Sequence, residues 1–250
     1  MSTKTPETLP RFLAPDLGRE GERAVLPADE SHHLVRVLRL VAGDRVAVFD
    51  GKGREFEARV ERADRLQAAV RLLAPIEAAP EPRVPYVLVQ AVLKGAAMDD
   101  IVRDAAMVGA RAIQPVLTSH VVIKSLKGAV TERWQRVALA SAKQCRRAVV
   151  PDVLPTQPFQ TWLASREQDL RLLFVEPSAG WDARSLRAFT GQAPPASAAV
   201  IVGPEGGWTR AEIEQAVDAG CVPVTLGRLT LRADAMALAA GTLFRFLWED

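Results

Sequence analysis

Cysteine is nearly missing from this chain: the 250 residues hold Cys145 and Cys221 alone, in no CxxC pair and at no zinc-like spacing. That excludes a disulfide framework and a cysteine-built zinc site, and it fits a reducing compartment. Long apolar runs are missing as well. None reaches the roughly 18 residues that a membrane-spanning helix needs, so no membrane partner is expected. The segment Met1 to Pro10 is polar, with no apolar stretch of the kind a secretory signal carries. The expected location is therefore the cytoplasm. Neither G-x-G-x-x-G nor G-x-x-x-x-G-K-[ST] occurs, which argues against an ordinary Rossmann or phosphate-loop enzyme. Histidine is scarce: His32 and His33 are adjacent, which rarely chelates one metal, and His120 is remote from both. No metal site is expected, and RNA contact or packing is the use left for that pair. Internal repeats and low-complexity tracts are missing too.

What is there belongs to a globular chain long enough for two domains. The 48% apolar and 25% charged balance leaves no room for disorder as the main theme. The net charge of +2 says little, but its distribution says more. Residues 121–150 carry Lys124, Lys127, Arg133, Arg136, Lys143, Arg146 and Arg147 against the single acid Glu132. Such an excess is either a phosphate-binding footprint or a solvated helix face.

Four prolines between Ala74 and Pro85 remove backbone donors and favour extended chain, so a linker is expected there. Before it, Arg45–Phe49 runs into the turn Asp50-Gly51-Lys52-Gly53, and the following Glu55–Val60 alternates polar and apolar residues. That pattern predicts a hairpin with one buried face. Gln67–Leu73 and Ala24–Leu26 offer further strands. Asp29–Leu40 predicts a short helix with Leu34, Val37 and Leu38 on one face. A small β-barrel would close these strands without edges. After the linker, Tyr86–Val92, Ala112–Val116, Leu170–Val175, Ala198–Val202 and Val222–Leu226 are short apolar runs. Helical patterns lie between them, at Met98–Val108, Thr131–Ala148, and from Thr209, whose T-x-x-E with Glu212 reads as a capping box. This alternation predicts a parallel α/β sheet covered on both faces.

Two loops could carry chemistry. Gly203-Pro204-Glu205-Gly206-Gly207 follows a buried strand and precedes a capped helix, at the sheet edge where open α/β folds place ligands. Its plain alternative is a tight turn. Trp208, just past the glycines, could serve core or site, while Trp134 with Val137 and Ala138 reads as core. Leu226 to Arg232 is the second strand-end loop, and it opens a helix rich in Ala235, Ala237, Ala239, Ala240 and Gly241. Those small residues suit an intimate core or a subunit contact. Asp234 at the helix start is favoured by the helix dipole, as a cap or as a catalytic group.

The ordered pair GPEGGW at Gly203–Trp208 and LGRLTLR at Leu226–Arg232 resembles the SPOUT class of S-adenosylmethionine-dependent RNA methyltransferases. Within it the closest likeness is to the bacterial family that methylates N3 of a uridine in 16S ribosomal RNA. Arg11-Phe12-Leu13, the run His32–Leu40 and Gly43-Asp44 are similar to that family's PUA-like domain. Lys94-Gly95 with Met98, and Arg133-Trp134 with Gln144, match further positions. The resemblance implies an α/β protein with an N-terminal PUA-like small β-barrel over residues 1–74, a linker over 75–85, and a C-terminal SPOUT domain over 86–250 with a parallel sheet and a trefoil knot. It implies a homodimer acting on 16S ribosomal RNA, free or within the small ribosomal subunit. The cofactor, S-adenosyl-L-methionine, would be held by Glu176, Gly203, Pro204, Glu205, Gly206, Gly207, Leu226, Gly227, Leu231 and Arg232. Arg232 is the expected cationic stabiliser, and Asp234 the base or the residue orienting it. RNA contacts are expected from Arg11, Arg36 and Arg39, and from Arg133, Arg136, Lys143 and Arg147, of which 136, 143 and 147 would share one helical face. Where the family commonly has Thr-Glu-Thr, this chain has Ala233-Asp234-Ala235. A SPOUT enzyme for another RNA position, including a ribose 2′-hydroxyl, and a non-catalytic ribosome-assembly factor are the alternatives.

Overall fold

The computed structural model describes residues 9–121, 128–165 and 167–249; Lys124 and Lys127 of the basic stretch lie outside them. The chain divides into two compact units. One comprises residues up to Pro80 together with Ala142–Val150, and the other comprises Glu81–Ser141 and Pro151–Asp250. The return of residues 142–150 to the first unit has no counterpart in the sequence pattern.

In the first unit, strands β1 (Arg11–Leu13), β2 (Arg23–Val25), β3 (Arg45–Phe49), β4 (Glu55–Arg62) and β5 (Ala69–Ile76) form one half-barrel sheet in the order β1-β3-β4-β5-β2. The β3–β4 hairpin turns where expected. Asp50 accepts from the Lys52 and Arg54 amides at 2.7 and 3.0 Å, while Gly51 and Gly53 take positive φ. Phe56, Ala58 and Val60 alternate into the core with Phe12, Leu34, Val46, Val48, Val70 and Leu72. Two expectations are corrected. The linker begins later than Pro75, because Pro75 pairs with Phe56 and Ile76 with Glu55 inside β5. Pro75 is tolerated because β2 pairs only with residues 69–71, so that end of β5 has a neighbour on one side. The helix after Pro27 is not uniform either. Helix α1 (Ala28–His32) passes into a π-turn over His33–Val37, closed by Leu38 N–H to the His33 carbonyl. The wider winding takes Val37 and Leu38 off the Leu34 face, and both are exposed.

The second unit is an eight-stranded sheet. Its strands are β6 (Tyr86–Ala91), β7 (Ala112–Leu117), β8 (Asp152–Val153), β9 (Gln157–Pro158), β10 (Leu170–Phe174), β11 (Arg184–Ser185), β12 (Ala198–Val202) and β13 (Val222–Thr225). The order is β11-β13-β10-β12-β6-β7-β8, with β9 also on β7, and every pairing is parallel. The helices are α2 (Ala97–Met107), α3 (Gly128–Gln144), α4 (Phe159–Leu163), α5 (Arg210–Asp218) and α6 (Ala233–Trp248). One face of α6 buries Met236, Ala237, Ala240 and Phe244, and Gly241 lets the backbone come close enough that a Cβ there would lie 3.0 Å from both Tyr86 and Val108. Small residues therefore serve the core on this face. Trp134 is buried, as its spacing implied. The short elements between α3 and β10 were not legible as periodic segments. Burial pushes the Cys221 thiol up to about 11, which keeps it protonated and unreactive.

Candidate functional site

Because the strands run parallel, their C-terminal ends share one edge, and the loops leaving β6, β10 and β12 converge there. They enclose a cavity of about 380 Å³, within the range of small-molecule sites. Phe174, Val175, Leu93 and Met236 give it apolar walls; Glu176 and Glu205 bring carboxylates; Gly203, Pro204 and Gly207 bring backbone; Thr230 to Asp234 close it. Of the residues expected to hold a cofactor, Glu176, Gly203, Pro204, Glu205, Gly207, Leu231 and Arg232 line this cavity. Gly206, Leu226 and Gly227 are not among its lining residues.

The glycines have separate reasons. A Cβ on Gly203 would lie 2.9 Å from the Trp208 indole nitrogen, and one on Gly207 would lie 3.1 Å from the Glu176 carboxylate. Gly207 also takes φ +69°. Trp208 serves both of its expected roles: its indole N–H donates to the Phe174 carbonyl at 3.0 Å, its ring packs on Phe159, and it lines the cavity. The Lys94 amide donates to Glu205 at 3.2 Å. The capping box is complete, with Glu212 accepting from the Thr209 amide and hydroxyl at 2.9 and 2.8 Å. Glu212 is buried, which disfavours its ionised form, yet the bonds from Ser119 and Thr209 outweigh burial and hold its carboxyl below the usual value.

Arg232 is the N-cap of α6, and its guanidinium grips Asp234 through Nε at 3.1 Å and Nη2 at 2.6 Å. Asp234 also accepts from the Ala235 amide at 2.9 Å. The Arg232 bond, then the Ala235 amide, hold the Asp234 carboxyl below the ordinary carboxylate range. A carboxylate so stabilised is a weak base. The Arg232 side chain is 84% exposed, and its Nη1 has no partner among the described residues.

The expected RNA-contacting residues separate into two groups. The Arg11 side chain is turned inward and is 6% exposed: its Nε and Nη2 grip Glu55 at 2.8 and 2.9 Å, and its remaining donors reach the carbonyls of Ala142, Lys143 and Arg147. All five guanidinium N–H groups are used, so none is left for a phosphate. Lys143 grips both oxygens of Glu30 at 2.9 and 2.8 Å. Arg147 is buried, and it lies past the end of α3, so it does not continue the face of Arg136 and Lys143. Arg133 pairs with Asp99. Arg36, Arg39 and Arg136 are exposed and without partners among the described residues. Arg39 takes φ +55°, an uncommon conformation for a residue with a Cβ.

Sequence reasoning missed Leu93, Phe174, Val175 and Met236 on the cavity wall, and His120, whose Nδ1 lies 3.0 Å from the Gly207 carbonyl. The signal for the first three was the strand assignment, since every parallel strand ends at that edge. For His120 there was none.

Known proteins share the sequence pattern and the fold. The RNA methyltransferase domain family matches residues 80–245, and the RNA methyltransferase PUA domain family matches residues 26–73. The ribosomal RNA small subunit methyltransferase E of a Synechocystis strain is 34% identical over 83% of this chain and 68% of the relative. A crystal structure of the Neisseria gonorrhoeae ribosomal RNA small subunit methyltransferase E bound to S-adenosyl methionine superposes with TM-score 0.84 at 30% identity, covering 96% of this chain and 98% of that one. A Legionella pneumophila methyltransferase in complex with the same cofactor gives TM-score 0.84 at 26% identity, covering 95% and 97%.

Proposed function

The chain belongs to the ribosomal RNA small subunit methyltransferase E family, and from that premise we propose that it transfers the methyl group of S-adenosylmethionine to N3 of a uridine in 16S ribosomal RNA. The observation that carries this reading is the cavity at the C-terminal edge of the parallel sheet, with its glycine turn on one side and Arg232 on the other. The residues fit the cofactor. Apolar walls suit its adenine ring and methylene chain, and Glu176 and Glu205 suit its ribose hydroxyls and its positive charges. The bound cofactor supplies an activated methyl group. The protein supplies alignment.

N3 of uracil bears a proton and lies on the Watson–Crick edge, so the uridine must be unpaired when it enters. Loss of that proton to solvent water leaves negative charge shared with O2 and O4. Arg232 is the cation for that charge, its Nη1 without a partner among the described residues. Asp234 is the residue that orients Arg232, because its lowered carboxyl makes it a poor acceptor for the N3 proton. Arg36 and Arg39 in the first unit and Arg136 in the second are the phosphate contacts this reading retains. Leu238, Leu243 and Phe246 of α6 lie outside the buried face and are 39%, 40% and 77% exposed. They support pairing of two copies through that helix. Action on ribosomal RNA supports a cytoplasmic location.

The test uses ribosomal subunits from a strain that lacks the modification, incubated with the protein and S-adenosylmethionine, followed by mass spectrometry of the nucleosides. 3-Methyluridine in 16S RNA is the expected product. A different methylated nucleoside, or none, overturns the assignment.

A further inference from the structure

The turn after β7 holds a residue that the reaction scheme does not use. Val121 N–H closes onto the Thr118 carbonyl at 3.1 Å, and the Ser119 amide donates to Glu212 at 2.8 Å. Glu212 in turn caps α5 through Thr209. The turn is thereby hooked to the start of α5, and this presses His120 against the glycine turn. A Cβ on Gly206 would lie 3.2 Å from the His120 Cβ and 3.4 Å from its Nδ1. Nδ1 itself is 3.0 Å from the Gly207 carbonyl oxygen. A carbonyl only accepts, so Nδ1 carries the proton of this bond.

The consequence follows from peptide geometry. The Gly207–Trp208 peptide is planar and trans, so its C=O and N–H point in opposite directions. Its C=O is directed at His120, which does not line the cavity, while Gly207 and Trp208 both do. The Trp208 N–H has no partner among the described residues. Gly207, on one side of this peptide, has no Cβ to oppose its turning over, and the His120 bond selects one of the two orientations. We propose that His120 is a positioning residue of the cofactor site: by holding the Gly207 carbonyl it presents the Trp208 N–H to the cavity, as a donor for a carboxylate or hydroxyl oxygen of the ligand. This rests on the cavity being the S-adenosylmethionine site.

Two substitutions separate the donor from the ring. His120→Phe keeps a ring beside Gly206 and removes the donor. His120→Asn removes the ring and keeps an N–H near the place of Nδ1–H. S-adenosylmethionine binding to the full chain is measured by calorimetry, with thermal unfolding of each ligand-free variant alongside. The expected result is a Kd raised about fivefold in His120→Phe, as for loss of one neutral hydrogen bond, a near-wild-type Kd in His120→Asn, and unfolding temperatures unchanged in both. Wild-type affinity in His120→Phe, or equal weakening in both variants, overturns the proposal. Failure of the wild-type chain to bind is a different result: it removes the reading of the cavity, and this proposal with it.

Discussion

The molecule contains two forked arginine–carboxylate pairs that look alike on paper and do opposite work. Arg11 and Glu55 are 6% and 7% exposed, and every guanidinium N–H of Arg11 ends on Glu55 or on a backbone carbonyl of residues 142–147. Arg232 and Asp234 are 84% and 31% exposed, and only one edge of the guanidinium is used. Chemistry alone does not distinguish them. The count of donors left over among the described residues does: none in the first pair, and at least Nη1 in the second. A cation that has spent its donors inside the fold is structural, whereas one held along one edge at a cavity rim can receive charge from a substrate.

The largest expected effect comes from breaking the buried pair. Arg11→Ala strands the Glu55 carboxylate out of water and takes one donor from each of three carbonyls, of which Ala142 keeps the Arg147 amide, and this should cost about 3–5 kcal/mol. Chemical denaturation should show the loss in the unit that contains residues up to Pro80. Replacing Arg11 and Glu55 together with Met and Leu should recover much of it, because the uncompensated charge is gone. A cost below about 1 kcal/mol for Arg11→Ala would put Arg11 back among the surface arginines.

The exposed pair should behave in the reverse way. Arg232→Ala should lower kcat at saturating cofactor and RNA by roughly 10²–10³-fold, as for loss of one preorganised charge stabiliser. It should leave stability within about 1 kcal/mol, since exposed ion pairs contribute little. Asp234→Asn sharpens the assignment. An amide oxygen can still accept from Arg232, so an orienting role predicts that most activity survives, and a base predicts a loss as deep as that of Arg232→Ala.

How much of this was legible in the sequence depends on whether a residue's role is local. The β3–β4 hairpin, the capping box of Thr209 and Glu212, and the five apolar strands of the second unit rest on turn chemistry and short-range periodicity, and they fall within a few residues of where the pattern puts them. The cavity follows from one further step, that parallel strands end at a common edge. The basic residues were not legible in the same way. Arg11 and Glu55 are 44 positions apart, and Lys143 and Glu30 are 113 apart. Charge counting along the chain sees cations and cannot see that a distant carboxylate has already claimed them. The π-turn at His33–Val37 is a further case, since a helical wheel drawn at regular winding buries Val37 and Leu38, and the wider turn exposes them.

The smallest expected effect extends the comparison from pairs to the remaining arginines. In the first unit, Arg36 and Arg39 are exposed and unpaired among the described residues, whereas Lys143 is held by Glu30. Each phosphate deprived of its cation reduces the slope of log affinity against log salt by about 0.7–0.9. The double variant Arg36→Gln with Arg39→Gln should therefore flatten the slope of RNA binding by roughly twice that amount, while Lys143→Gln should leave the slope unchanged and lower stability instead. A slope that responds to Lys143 and not to the arginines would mean that the Glu30 pair opens when RNA binds, and that a partner already claimed in the free protein does not disqualify a cation from the interface.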